Sequence, residues 1–262
     1  MTTEDFITHL FYRVDNALRT VSKHSQAGLH PSEVVTLALL FALKGVGNRA
    51  FYRWVSRDYR ALFPKLPERT RLFRLFNHHQ SLTDVFLAEP TLLGVVDPYG
   101  IELIHPRREG RSEQQIGRKG LSNQRWIVGG KLGFVLNHLG LIVDWAVDTA
   151  NVYDGANFQD LVTRQADFMV IFADTGFVKK DWHPDNLKIC QRGEWNDRMI
   201  VETVLSMLTL VCHFKKVMHR TWAYFESRLA YTMAMFNLLV QWDGIQVDEA
   251  GCVHFALAPF SL

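Results

Sequence analysis

Apolar residues recur three and four apart through the first third of the chain, the period of a helix with one buried face. Phe6, Leu10, Phe11, Val14, Leu18 and Val21 form the first such stripe. Gly28 and Pro31 interrupt it, and Ser32-Glu33 opens an apolar helix over residues 34–43. Gly45 and Gly47 break the chain again. Asn48 is placed to cap a third helix reaching residue 62, with Phe51, Trp54, Val55 and Tyr59 on its apolar side. Beyond Pro64 and Pro67 the spacing predicts a helix over 68–79, and Ser81, three residues before Asp84, predicts a capped helix over 82–93.

At Gly94 the pattern changes. Gly94-Val95-Val96-Asp97 is a short apolar run ending in a carboxylate, followed by an Arg- and Gly-rich loop over 105–125. Residues 126–136 and 141–148 read as strands joined by the hairpin Asn137-His138-Leu139-Gly140. Helical spacing returns over 157–168. A buried-strand run over 169–173 ends at Asp174, and 187–190 reads as a weaker fifth strand. Residues 194–243 contain neither Gly nor Pro. A single helix of that length would measure about 75 Å at about 1.5 Å per residue, so two helices are expected, with a break near 219–221. A short hairpin is expected around 249–251. Three meander strands followed by helix, strand, strand and helices predict a mixed α/β layer structure, not a doubly wound parallel sheet. The expected division is an all-helical domain over 1–93, an α/β domain over 94–243 and a tail over 244–262.

Charge refines this picture. The formal net charge of +2 hides 12 basic and 7 acidic side chains in residues 1–85, and seven basic against two acidic in 106–131. Two basic regions around a more acidic remainder fit a polyanionic partner at an acidic catalytic centre, or a solvated surface loop. The three cysteines, Cys190, Cys212 and Cys252, form no CxxC pair, which argues against a disulfide framework or zinc knuckle and for a reducing cytoplasm. The uncharged run 229–242 is shorter than the roughly 20 residues of a membrane span. The first residues are acidic where a signal peptide would be basic.

The candidate chemistry lies in three carboxylates. Asp97 ends the first predicted strand, Asp174 ends the fourth, and Glu202 sits early in the long helical segment. Carboxylates leaving adjacent strands at one edge can converge, and a helix across that edge can add a third. Mg²⁺ takes such hard oxygen ligands, completing its shell with water and substrate phosphate, and two ions about 4 Å apart suit in-line phosphoryl displacement. Each residue also has a plain structural reading. Asp97-Pro98 and Asp174-Thr175-Gly176 can be turns, and Glu202 can pair with Arg198 one helical turn earlier. Cys212-His213 lacks further ligands at zinc spacing. Trp126 and Trp145 read as core residues.

At these residues the sequence resembles the DDE transposases of bacterial insertion sequences, and the order of elements resembles the RNase H-like fold of their catalytic domains. Asp174-Thr175-Gly176-Phe177 is similar to the D-x-G-[FY] motif of the second Asp. Ala150-Asn151-Val152-Tyr153-Asp154 is similar to the A-N-x-x-D element. Arg198-Met199-Ile200-Val201-Glu202 is similar to the R-x-x-x-E core of the helix that carries the third carboxylate. Trp195 and Thr209 stand where the family carries Tyr and Lys, and Lys215, Lys216 or Arg220 are the substitutes the sequence offers.

The resemblance implies two Mg²⁺ or Mn²⁺ ions held by Asp97, Asp174 and Glu202. It implies cleavage of double-stranded DNA at terminal inverted repeats, joining to target DNA, a homodimer pairing two ends, and a place on the bacterial nucleoid. A retired transposase that only binds DNA, and an RNase H-like repair nuclease that cuts without joining, are the alternatives. For DNA contact, Arg71, Arg74 and His78 share one face of the 68–79 helix, either as a helix-turn-helix-like reader or as an exposed basic face. Arg107, Arg108, Arg111, Arg118 and Lys119 suit phosphate contacts, and Arg198, Lys215, Lys216 and Arg220 flank or follow the catalytic helix.

Overall fold

A computed structural model describes residues 1–122, 124–153, 158–177, 184–190, 199–214, 219–249 and 253–254. Four helices come first: α1 (Thr3–Ala17), α2 (Pro31–Lys44), α3 (Asn48–Asp58) and α4 (Arg69–His78). A capping box between Thr2 and Asp5 starts α1. Gly45 ends α2 in the left-handed region, φ 63°, where a Cβ would also collide with the His213 side chain. The chain then bends by 119° into α3. A tight, glycine-containing turn thus joins α2 to α3, whereas ten residues, 59–68, separate α3 from α4, the pair expected to form a helix-turn-helix-like reader.

The helix expected over 82–93 is instead a 3₁₀ turn, Gln80–Phe86. The chain beyond it is drawn onto the sheet: Ala88 N–H donates to Ile142 C=O, and Leu92 C=O accepts from Val170 N–H. Next come β1 (Leu93–Ile104), β2 (Arg118–Ser122), β3 (Arg125–Asn137), β4 (Ile142–Thr149), α5 (Gln159–Arg164), β5 (Val170–Ala173) and β6 (Leu187–Ile189). The last described elements are α6 (Met199–Leu210), α7 (Trp222–Val240) and the short antiparallel pair β7 (Gln246–Val247) and β8 (Val253–His254). The helical segment breaks between Leu210 and Trp222, with Thr221 as the N-cap of α7.

The architecture is α/β, a mixed six-stranded sheet flanked by helices. Its order is β2-β3-β1-β5-β6, and β4 also pairs with β3. β1 is antiparallel to β3 and parallel to β5, and β5 is parallel to β6. Part of the predicted loop is strand, and the first strand does not end at Asp97 as expected. β1 continues to Ile104, and β2 pairs with the start of β3. Pro98 does not stop β1, for a geometric reason. Because Leu92 C=O faces β5, residues of even number turn their main-chain groups that way, but pairing with β5 ends at Val95. The N–H that Pro98 lacks would have faced an edge with no β5 residue opposite.

Alternation then sorts the side chains onto two faces. Val95, Ile101, Leu132, Phe134 and Leu136 join the larger core with α1, α2, α4, α6 and α7. Val96, Val135, Ile171 and Ala173 pack on the other face, with Phe158, Leu161 and Val162 around α5. Gly133 is small because a Cβ there would meet the Phe158 ring.

α2 is buried along nearly its whole length, against α1, α4 and α7. The tie between α2 and α7 is Arg228, a buried cation. Its guanidinium donates to Phe41 C=O at 2.9 Å and Ala42 C=O at 2.8 Å, and lies 4.5 Å from the Phe41 ring centroid. Those carbonyls belong to the last turn of α2, where the helical ladder leaves acceptors over. Burial pulls the Arg228 pKa down to about 10, so it remains charged at neutral pH. Arg228→Met keeps the volume but strands both carbonyls. We expect a loss of about 2–4 kcal/mol in denaturant unfolding, with Arg19→Met on the exposed end of the first helical segment as an inert comparison.

Candidate active site

Asp97 shares the parity of Val95 and Ile101, so it leaves β1 on the face covered by α6 and α7. On β5, Ile171 and Ala173 face α5, which turns Asp174 to the same side as Asp97. α6 packs there through Val201, Val204 and Leu208 and presents Glu202, Leu205, Ser206, Thr209 and Leu210 on its next face, at helical spacing. The outcome is one cleft of about 650 Å³ lined by all three predicted carboxylates, together with Tyr99, Ser122, Gln124 and Lys131. Asp97 and Asp174 are half-buried and Glu202 is exposed.

Among the described residues, no three His, Cys, Asp or Glu side chains stand close enough to form a ready-made cation site. The donor chemistry of the cleft is nonetheless that of a hard cation: three carboxylates on three separate elements, open to water. Asp174 is followed by a 3₁₀ turn, Thr175–Phe177, whose buried Phe177 anchors the strand end in the α5-side core.

Lys131 was not anticipated. It lies within the apolar strand β3, is buried, and donates from Nζ to Val152 C=O at 3.1 Å. A cation in the middle of an apolar strand is the signal that would have marked it. Thr209 does line the cleft, but its hydroxyl donates back to Leu205 C=O at 2.7 Å.

Of the predicted DNA contacts, Arg71, Arg74 and His78 are exposed and line one shallow depression on the outer side of α4. Arg107, Arg108, Arg111, Arg118 and Lys119 are exposed beside the sheet end, with Lys119 paired to Glu109 at 3.0 Å. Arg220 is exposed just before α7. Arg198, Lys215 and Lys216 lie outside the described residues, as does Asp154 of the A-N-x-x-D element. Trp126 is 59% exposed, not core, with the Lys119 ammonium 5.7 Å from its ring centroid. Trp145 does pack on the larger core. Cys212 is fully buried, and its thiol is pushed up to about 12, which removes thiolate chemistry at neutral pH.

His219 is the titratable group whose surroundings matter most for pH. Burial, and then the Arg228 charge, pull its pKa from 6.5 to about 4. The folded protein therefore holds His219 neutral where the unfolded chain would bind a proton. Its stabilisation is complete above about pH 6.5 and is lost as pH falls toward 4. Unfolding free energies between pH 4 and 7 should fall by about 2–3 kcal/mol more in the wild type than in His219→Gln.

Compared with models of known protein families, with curated proteins and with solved structures, the chain matches none. Among the described residues, no single helix is long and apolar enough to cross a membrane.

Proposed function

We propose that the chain is a DDE-type transposase with an RNase H-like catalytic core, cutting double-stranded DNA at the ends of an insertion sequence and joining those ends to target DNA. The observation that carries this reading is the shared cleft of Asp97, Asp174 and Glu202, drawn from the interior of β1, the end of its neighbour β5 and one helix. The strand arrangement supports it: β1, β3 and β4 make an antiparallel meander, and β5 and β6 add in parallel on the far side of β1 after helix α5. Within that frame β2 is an insertion between β1 and β3.

The three carboxylates would hold Mg²⁺ or Mn²⁺, two ions per cleft, with water and phosphate oxygens filling the remaining positions. Bound there, such ions neutralise charge on the phosphodiester and supply a nucleophilic water at neutral pH. The chain's own residues do the positioning. Asp97 and Asp174 are set by adjacent strands and Glu202 by a helix seated on the core, and Lys131 lines the same cleft with its amine held against Val152 C=O. Ser122, Gln124 and Ser206 add polar contacts at the rim. No covalent enzyme intermediate is required, because the 3′-OH freed by cutting is the nucleophile of the joining step. Two ends must be held together, which calls for a homodimer acting on DNA of the bacterial nucleoid.

The test uses DNA carrying the sequences that flank the chain's own gene, incubated with a supercoiled target and Mg²⁺, Mn²⁺ or Ca²⁺. Cut ends joined to the target in Mg²⁺ or Mn²⁺ are expected. Binding without cutting would favour the retired transposase, and cutting without joining the repair nuclease.

A further inference from the structure

A second cavity, of about 420 Å³, lies away from the three carboxylates, where the N-terminal ends of three helices meet. Asn48 opens α3, Arg69 and Thr70 open α4, and Thr221 precedes α7; all four line it, with Arg220 and Tyr224. The first helical bonds are donated by Phe51, Leu72 and Phe225, so the N–H groups ahead of them lie outside the ladders, and none of the three ends has a side-chain cap bond. Three positive helix ends and two exposed guanidinium groups face one space, and no carboxylate lines it among the described residues. Thr70 and Thr221 add hydroxyl donors, and Phe73 and Tyr224 an apolar wall. That combination suits a tetrahedral oxyanion carried on a less polar body.

We infer that this cavity seats a phosphate of a nucleic-acid backbone, gripped by Arg69 and Arg220 over the converging helix ends. The choice of nucleic acid over another phosphate rests on the transposase reading, but the seat needs no catalysis. Its test is therefore binding without metal, which an inactive cleft leaves untouched.

Fluorescence anisotropy with a short DNA duplex over a range of salt is the measurement. The double variant Arg69→Gln/Arg220→Gln should bind about tenfold or more weakly at about 100 mM salt, and its dependence of log K on log salt should flatten by about 1, the value for one phosphate. Thr221→Asp guards against a folding artefact. Asp is a good N-cap, so α7 is kept while a negative charge enters the cavity, and duplex affinity should again fall about tenfold with Tm unchanged. Inorganic phosphate, titrated at constant ionic strength, separates the sources. Unchanged duplex affinity in both variants, with a phosphate-induced rise in Tm that they lose, would assign the seat to free phosphate and overturn the nucleic-acid inference. No change in either readout would overturn the site itself.

Discussion

Asp97→Asn should lower the rate of DNA cleavage by about a thousandfold or more while leaving duplex affinity and Tm close to those of the unaltered chain. Asp174→Asn and Glu202→Gln should do the same. The expected effect is electrostatic and local. Each amide keeps the volume and polarity of the side chain it replaces, so packing is preserved. Each removes one of the three negative oxygen donors that line the cleft, and a hard divalent cation is held by charge as much as by geometry. All three side chains are at least partly exposed to solvent, which makes large folding costs unexpected. A loss confined to turnover, seen alike in all three variants, would mean that the residues act as one unit. Full activity in any of them would remove that residue from the proposed set. Single-turnover cleavage of an end-labelled duplex in Mg²⁺ gives the rate, and the same duplex without metal gives the affinity.

The largest expected stability effect belongs to Asn237. This buried residue in the last turn of α7 pairs with the main chain of β4 as a neighbouring strand would. Its carboxamide oxygen accepts from Ile142 N–H at 2.9 Å, and its amide donates to Ile142 C=O at 2.8 Å and Phe86 C=O at 3.0 Å. One side chain thus joins α7 to the first residue of β4 and to the end of the 3₁₀ turn. Asn237→Leu fills the space but strands the buried Ile142 N–H and Phe86 C=O, while Ile142 C=O keeps its bond from Ala88 N–H. At about 1–3 kcal/mol for each stranded group, partly relieved by rearrangement, a destabilisation of about 3–5 kcal/mol follows, or roughly 10 °C in Tm. Thermal melts should separate it from Gln241→Leu, one turn on and exposed, which should shift Tm little.

The three carboxylates were legible because each adjoins a run whose apolar pattern is strong. Asp97 and Asp174 follow short buried-strand runs, although β1 continues past Asp97, and Glu202 lies within a stretch with no helix breaker. That all three open on one side depends only on strand parity and on which face α6 covers. What failed to show is what depends on pairing between distant segments. β2 has too little apolar character to announce a strand and exists because β3 offers it an edge. The residues after Phe86 leave helical geometry because the sheet supplies partners for their main chain. Trp126 looked like core by composition, but it sits at the outer end of β3, past the last residue paired with β1. Lys131, Arg228 and Asn237 share one reason for their silence. Each is a polar residue inside an apolar run, and its partner lies in another part of the chain.

Asp97, Asp174 and Glu202 are proposed to hold divalent cations together in one cleft. Replacing the cation with Fe²⁺ tests this most directly, since ascorbate and peroxide then cut the polypeptide beside the bound iron. Cuts are expected near residues 97, 174 and 202 in the same preparation, all suppressed by excess Mg²⁺ and all lost in Asp97→Asn. Cuts at other positions, or none that Mg²⁺ suppresses, would contradict it.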